Sequence, residues 1–217
     1  MNKLNENIFH QYNKWKSGYV RKENSLQMRL DKFISNKENR NADMYHISED
    51  GKHVDCDETV TISDSDLIDG KFPFPFGKVK GHFGCYCCKE LISLEGAPKS
   101  VGRSFMSYSC PNLTSLEGVP EKIHDGFSCS DCQKLTSLEG GPKEVAFGFS
   151  CRNCKNLTSL EGAPKKVSQW FACAGCKSLT SLEYLPKEIN GKLQIDKRFK
   201  GKIPSDIVVM TYNIEYE

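Results

Sequence analysis

The chain has 217 residues, and its 30 Lys and Arg against 28 Asp and Glu leave a formal charge of +2. That length suits one domain with an appendage, and the near balance of charge directs it as a whole to neither nucleic acid nor membrane. No run of about 18 apolar residues is present to span a bilayer, and "MNKLNENIFHQYNKW" has no continuous apolar stretch that could serve as a secretory signal.

Residues 1–42 are expected to be helical. Ile8, Tyr12, Trp15 and Tyr19 fall at i, i+4, i+7 and i+11, and Leu26, Leu30, Phe33 and Ile34 form a second stripe. Among the first 40 residues nine are basic and four acidic, whereas Glu49–Asp69 is acidic. The expected arrangement is a helical hairpin folded over the end of the next element, basic face towards that acidic stretch. A detached basic arm is the alternative.

Residues 43–82 read as a β-hairpin and a degenerate first repeat. Tyr45/Ile47 and Val54/Cys56 alternate on either side of the Asp50-Gly51 turn. Val60 and Ile62 stand where Phe and Cys stand in later units. "FPFPF", residues 72–76, is an apolar bend that seals the first coil or, in the competing reading, a loop that binds a partner.

Residues 83–195 repeat with a period of 22. Phe83, Phe105, Phe127, Phe149 and Phe171 keep the step, with Leu193 as the closing rung; Leu91 to Leu179, Pro98 to Pro186 and Val101 to Ile189 do likewise. A period of 20–29 belongs to the leucine-rich class of solenoids, one coil per unit. The unit F-x-C-x-x-C-x-x-L-x-x-L-E-G-x-P-K-x-V starts with the two-residue alternation of a strand, so Phe and the first Cys face inwards. The second Cys sits where a small polar side chain turns the backbone and satisfies an orphan main-chain group. The low hydrophobic fraction, 38%, suits so elongated a body. Residues 196–217 lose the repeat, and "IVVM" followed by "TYNIEY" suggests a closing strand pair over the last rung.

The eleven cysteines are an odd number without an export signal, so free thiols in a reducing cytosol are expected. A zinc site needs four converging ligands, whereas Cys129/Cys132, Cys151/Cys154 and Cys173/Cys176 are spread along the axis, and Ser107 replaces a cysteine in one rung. A four-sulfur cage between neighbouring rungs is the alternative to a structural ladder. No metal or cofactor is expected. The five histidines are scattered, and no phosphate loop, G-x-S-x-G elbow or H-E-x-x-H pair is present, so no enzyme is expected either. Glu95, Glu117, Glu139, Glu161 and Glu183 form a ladder, and Lys99, Lys143, Lys165 and Lys187 another, broken by Glu121. The two are expected to neutralise each other.

"FGKVKGHFGC" followed by reiterated "LTSLEGAPKxV" resembles the leucine-rich repeat proteins encoded by tailed bacteriophages and related mobile elements, over about residues 46–195. The C-x-x-L spacing also resembles bacterial surface repeats that read F-x-x-C-x-x-L-x-x-I. The resemblance implies the leucine-rich-repeat solenoid. Joined to the readings above, the expected fold class is α+β, a short right-handed leucine-rich-repeat solenoid with a parallel β-sheet, an N-terminal helical and β-hairpin cap and C-terminal closing strands. The resemblance also implies a viral origin, hence the host cytoplasm, and no particular activity.

In a solenoid, function lies in what does not repeat on the exposed side. The outward positions around F-x-C include His82, Tyr86, Met106, Tyr108, Arg152 and Trp170 among mostly small residues, and Tyr, Trp, Met and Arg are enriched at protein contacts. These six are the candidate partner-binding residues. The expected function is a non-enzymatic protein-protein interaction module, a phage accessory protein that binds a host protein and acts against a defence component. The alternative is a virion structural, assembly or self-associating scaffold role. A nucleic-acid contact through the basic first 40 residues ranks last.

Overall fold

The 22-residue period becomes a stack of coils, about seven in all, in a computed structural model that describes residues 25–209 and 214–217. The first wall is an eight-stranded parallel sheet. Its strands are Val60–Ile62, Phe83–Cys85, Phe105–Met106, Phe127–Ser128, Gly148–Ser150, Trp170–Ala172, Lys192–Ile195 and Ile214–Tyr216. The register is that of the repeat: Val60 lies beside Phe83, Phe83 beside Phe105, Phe149 beside Phe171 and Leu193 beside Ile214. Each Phe from 83 to 171 is wholly buried, and neighbouring ring centroids lie 5.1–5.9 Å apart.

The K-x-V segments form a second wall. Ser100–Val101 belongs to a four-stranded sheet with Tyr45–Ile47, Val54–Cys56 and Phe76–Val79, while Lys122–Ile123, Glu144–Val145, Lys166–Val167, Glu188–Ile189 and Val208–Val209 form a separate five-stranded sheet. Val101, Ile123, Val145, Val167 and Ile189 of this column point inwards and are buried. The two leucines of each L-x-x-L close the third side and are buried too. Between this side and the second wall, Gly96, Gly118, Gly140 and Gly162 adopt φ of 78–104°. A Cβ on Gly162 would meet the Leu138 carbonyl oxygen at 2.2 Å, so glycine is required for conformation and for room. The last unit has Tyr184 there, at φ 65° and half exposed.

The expected cap is present where the chain is described. The helix Leu26–Ser35 starts at Ser25, whose hydroxyl accepts from the Met28 amide. Its Leu30 and Phe33 are buried, with Leu26 and Ile34 packed behind them. Phe33 meets Phe74 at 5.2 Å, Phe76 at 6.0 Å and Tyr45 at 5.7 Å, all edge to face. Phe72, Phe74 and Phe76 are therefore buried, and FPFPF is the seal of the first coil; the reading of it as a partner-binding loop is corrected. The hairpin pairs Tyr45 with Cys56 and Ile47 with Val54. Arg40 lies 3.5 Å above the Phe33 ring and donates to both carboxylate oxygens of buried Asp66 at 2.8 Å, with Lys37 at 3.4 Å. Basic residues of the first segment thus do meet the acidic stretch. The stripe Ile8, Tyr12, Trp15 and Tyr19 lies outside the described residues.

Two expectations need correction. The C-terminal strands do not pair with each other over the last rung. Val208–Val209 extends the five-stranded sheet and Ile214–Tyr216 the eight-stranded one, because each wall offers its own unpaired edge. The Glu and Lys ladders do not form ion pairs with each other either. Ion pairs join positions 22 residues apart: Lys143 with Glu121, Lys122 with Glu144 and Lys166 with Glu188. Such positions are one coil rise apart, about 4.8 Å, closer than residues separated by the Gly-x-Pro bend.

Candidate protein-binding face

The cysteines line the interior. All eleven are free, and Cys87 alone is exposed. The second Cys of each unit donates its Sγ–H to the main-chain carbonyl at the first-Cys position of the preceding coil: Cys132 to Ser107, Cys154 to Cys129 and Cys176 to Cys151, at 3.0–3.1 Å. Cys88 and Cys110 do the same at 3.4 and 3.5 Å. Ser107 fills the first place by donating its hydroxyl to the Ser128 carbonyl at 3.3 Å. Burial pushes the Cys85, Cys129 and Cys173 thiols well above their usual range, so these groups are neutral packing elements. Among the described residues no group of three or more His, Cys, Asp or Glu is placed to hold a metal ion.

Strand alternation turns three columns of the eight-stranded sheet outwards: the residues just before and just after each Phe, and the residue after the first-Cys position. The six candidate residues all lie there but gather in two groups. At the N-terminal end, Tyr86 and Tyr108 stand with ring centroids 4.9 Å apart. The Tyr86 ring lies over Gly84, where a Cβ would meet it at 2.4 Å. Tyr108 is 41% exposed, and Met106 stands beside Gly84 in the register. His82 belongs to the same end; its Nδ1 accepts from the Ser104 amide at 3.2 Å, which leaves Nε2 as its other polar atom. Burial and the neighbouring Tyr108 raise the Tyr86 pKa, so the Tyr86 phenol is a neutral donor at physiological pH.

At the C-terminal end, Trp170 and Arg152 border an open depression of about 520 Å³ with Ser150, Ala172 and Gln194. The Trp170 ring lies over Gly148; a Cβ there would meet Cε2 at 2.1 Å. Arg152 is already occupied: it donates to Gln194 at 3.1 Å and pairs with Glu217. Lys192 pairs with Glu215 at 2.6 Å and Asp196 with Arg198 at 3.3 Å, so the charges of this face are compensated within the chain.

Between the groups the sheet is low. Ser130 and Ser150 share a hydroxyl–hydroxyl bond of 2.6 Å, and Ser128 donates to Ser130 at 3.2 Å. Ser104, Ser150, Ala172 and Ala174 are turned outwards by register yet buried, because short side chains lie below the level of their large neighbours. Contact with a partner would fall on the tall side chains, four coils apart from Tyr86 to Trp170, roughly 19 Å.

The sequence reading missed Phe147. It is 48% exposed, next in the chain to the Gly148 that supports the Trp170 ring, and extends the aromatic surface round the corner towards the second wall. A signal was available: Arg103, Asp125 and Gln169 occupy the same offset in neighbouring coils, so a large apolar residue there breaks the repeat. No family model, curated protein or solved structure matches this chain.

Proposed function

We propose that this chain is a non-enzymatic binding module, a bacteriophage-type leucine-rich repeat accessory protein that occupies a host protein, with a defence component as the target class. The observation that supports this reading is the placement of Tyr86/Tyr108/Met106 and Trp170, with Phe147, on an otherwise low sheet face whose charges are internally paired. Rigid aromatic anchors around a low floor suit contact with a folded protein surface, since a few such residues carry most of the energy of a protein interface. The viral origin rests on the resemblance of the repeat words. The repeat spreads like groups into ladders, and catalysis needs unlike groups brought together, so chemistry is assigned to no residue.

The test is affinity capture from host or infected lysate with the parent chain and with the triple variant Tyr86→Ala/Tyr108→Ala/Trp170→Ala. A protein retained by the parent and lost by the triple variant, at unchanged melting temperature, is the expected result. Equal retention by both would refute the face. Recovery of the chain within purified particles would favour a structural or assembly role in the virion. A steep loss of nucleic-acid binding with salt would favour phosphate contacts.

A further inference from the structure

A second surface carries a stripe pattern that matches itself. Glu95, Glu117, Glu139, Glu161 and Glu183 stand exposed in one column, one per coil. Glu95 pairs with Lys71 at 3.0 Å; the other four form no ion pair among the described residues. Four like charges about 4.8 Å apart repel one another and are left uncompensated at contact distance. Across the Gly-x-Pro bend runs the column Lys99, Glu121, Lys143, Lys165 and Lys187, also exposed. Lys143 and Lys187 have acidic neighbours in Glu121 and Asp206, while Lys99 and Lys165 form no ion pair among the described residues. Glu183, Tyr184 and Lys187 border one open depression of about 470 Å³, so at that coil the two columns flank the same groove.

We propose that two copies of this chain associate side by side through these stripes, the Glu column of each against the Lys column of the other. A two-fold axis parallel to the solenoid exchanges the stripes and keeps each coil level with its own counterpart. Glu95 then faces Lys99, Glu139 Lys143, Glu161 Lys165 and Glu183 Lys187 of the second copy. Only the coil with Glu117 and Glu121 is mismatched. The other in-plane axis, across the stripes, would set Glu against Glu, so the charges select a parallel pair. Both columns have the spacing of the coil rise, so the match holds at four of the five coils. Five coils at about 4.8 Å give a strip roughly 20 Å long, which would have to be about 40 Å wide to reach the approximately 800 Å² per partner of a standard interface. The dimer is therefore reversible and sensitive to salt. It uses neither the aromatic face nor the sheet edges, so it can form or fail independently of the binding function above.

The test is sedimentation equilibrium of the full chain at 0.1 M and 1 M salt, between which the screening length falls from about 10 Å to about 3 Å. A dimer at low salt whose dissociation constant rises at least about tenfold at high salt is expected. Glu139→Lys/Glu161→Lys and Lys143→Glu/Lys165→Glu should each be monomeric at low salt, and an equimolar mixture of the two should restore a dimer of one of each. The neutral Glu139→Gln/Glu161→Gln pair, with circular dichroism as the fold control, should weaken the dimer without abolishing the fold. A monomer at every concentration and salt, a dimer indifferent to both reversals, or reversed chains that fail to pair when mixed would each overturn the proposal.

Discussion

Phe149→Ala is the sharpest test of how this solenoid is held together. Phe149 is wholly buried, between Phe127 at 5.1 Å and Phe171 at 5.2 Å, the latter stacked nearly parallel at 8°. Its main chain is tied on both sides, through the registers with Phe127 and Phe171. Truncation of a core Phe to Ala typically costs about 3–5 kcal/mol, the lost transfer energy plus a cavity that stiff surroundings only partly close. Collapse is restricted here because both neighbours are held in their own coils by strand hydrogen bonds. At roughly 2–4 °C per kcal/mol for a chain of this size, the melting temperature should fall by about 6–20 °C. Each coil touches chiefly its neighbours, so the loss should also uncouple the stack at that point. Hydrogen exchange should then show faster opening of the coils after residue 149, away from the helical cap, than of those before it. Circular dichroism melts and exchange mass spectrometry of parent, Phe149→Ala and the surface control Tyr108→Ala measure both effects. A Phe149→Ala protein that melts with the parent would refute the stacked-core account, and uniform loss of protection along the chain would refute the nearest-neighbour part.

Asp66→Asn should cost about 3–5 kcal/mol, because it leaves the Arg40 guanidinium beneath the cap without its carboxylate; urea midpoints measure it. Arg40 holds the Asp66 carboxyl at about 2, below its usual 3.8. A depressed folded-state value contributes stability that is present above about 4 and lost as pH falls towards 2, on the order of 2 kcal/mol. The parent should therefore weaken over that window more than Asp66→Asn does, and equal slopes would contradict the latch. Cys154→Ser keeps a donor for the Cys129 carbonyl and should be tolerated better than Cys154→Ala, which leaves that buried oxygen unpaired at about 1–3 kcal/mol; thermal melts of the two decide. A bulky thiol reagent should modify Cys87 rapidly in the native protein and all eleven cysteines only after denaturation. Gly148→Ala must displace the Trp170 ring, which should shift the tryptophan emission and weaken partner capture.

The sequence alone determined the stack. A period of 22 puts like residues one coil apart, so the Phe, Leu and Val columns, the inward cysteines and the glycine at each bend follow from counting. The stripe Leu26/Leu30/Phe33/Ile34 and the alternation of Tyr45/Ile47 and Val54/Cys56 fixed the helix and hairpin in the same way, because local periodicity reports which face is buried. The six outward candidates were legible for the same reason, and Phe147 could have been read from its departure from the repeat. Only the tertiary structure decided what a column cannot state: how tall each side chain stands over its neighbours, and which charges come within reach. Trp170 lies down over Gly148 and Arg152 turns to Glu217, so one strip of candidates became two groups above a floor of buried serines and alanines. Lys143 meets Glu121 in its own column and not Glu139 in its own coil, because the rise between coils is shorter than the path round the bend. The division of the second wall into two sheets between Val101 and Ile123 was likewise invisible in a repeat that reads the same on both sides of the break.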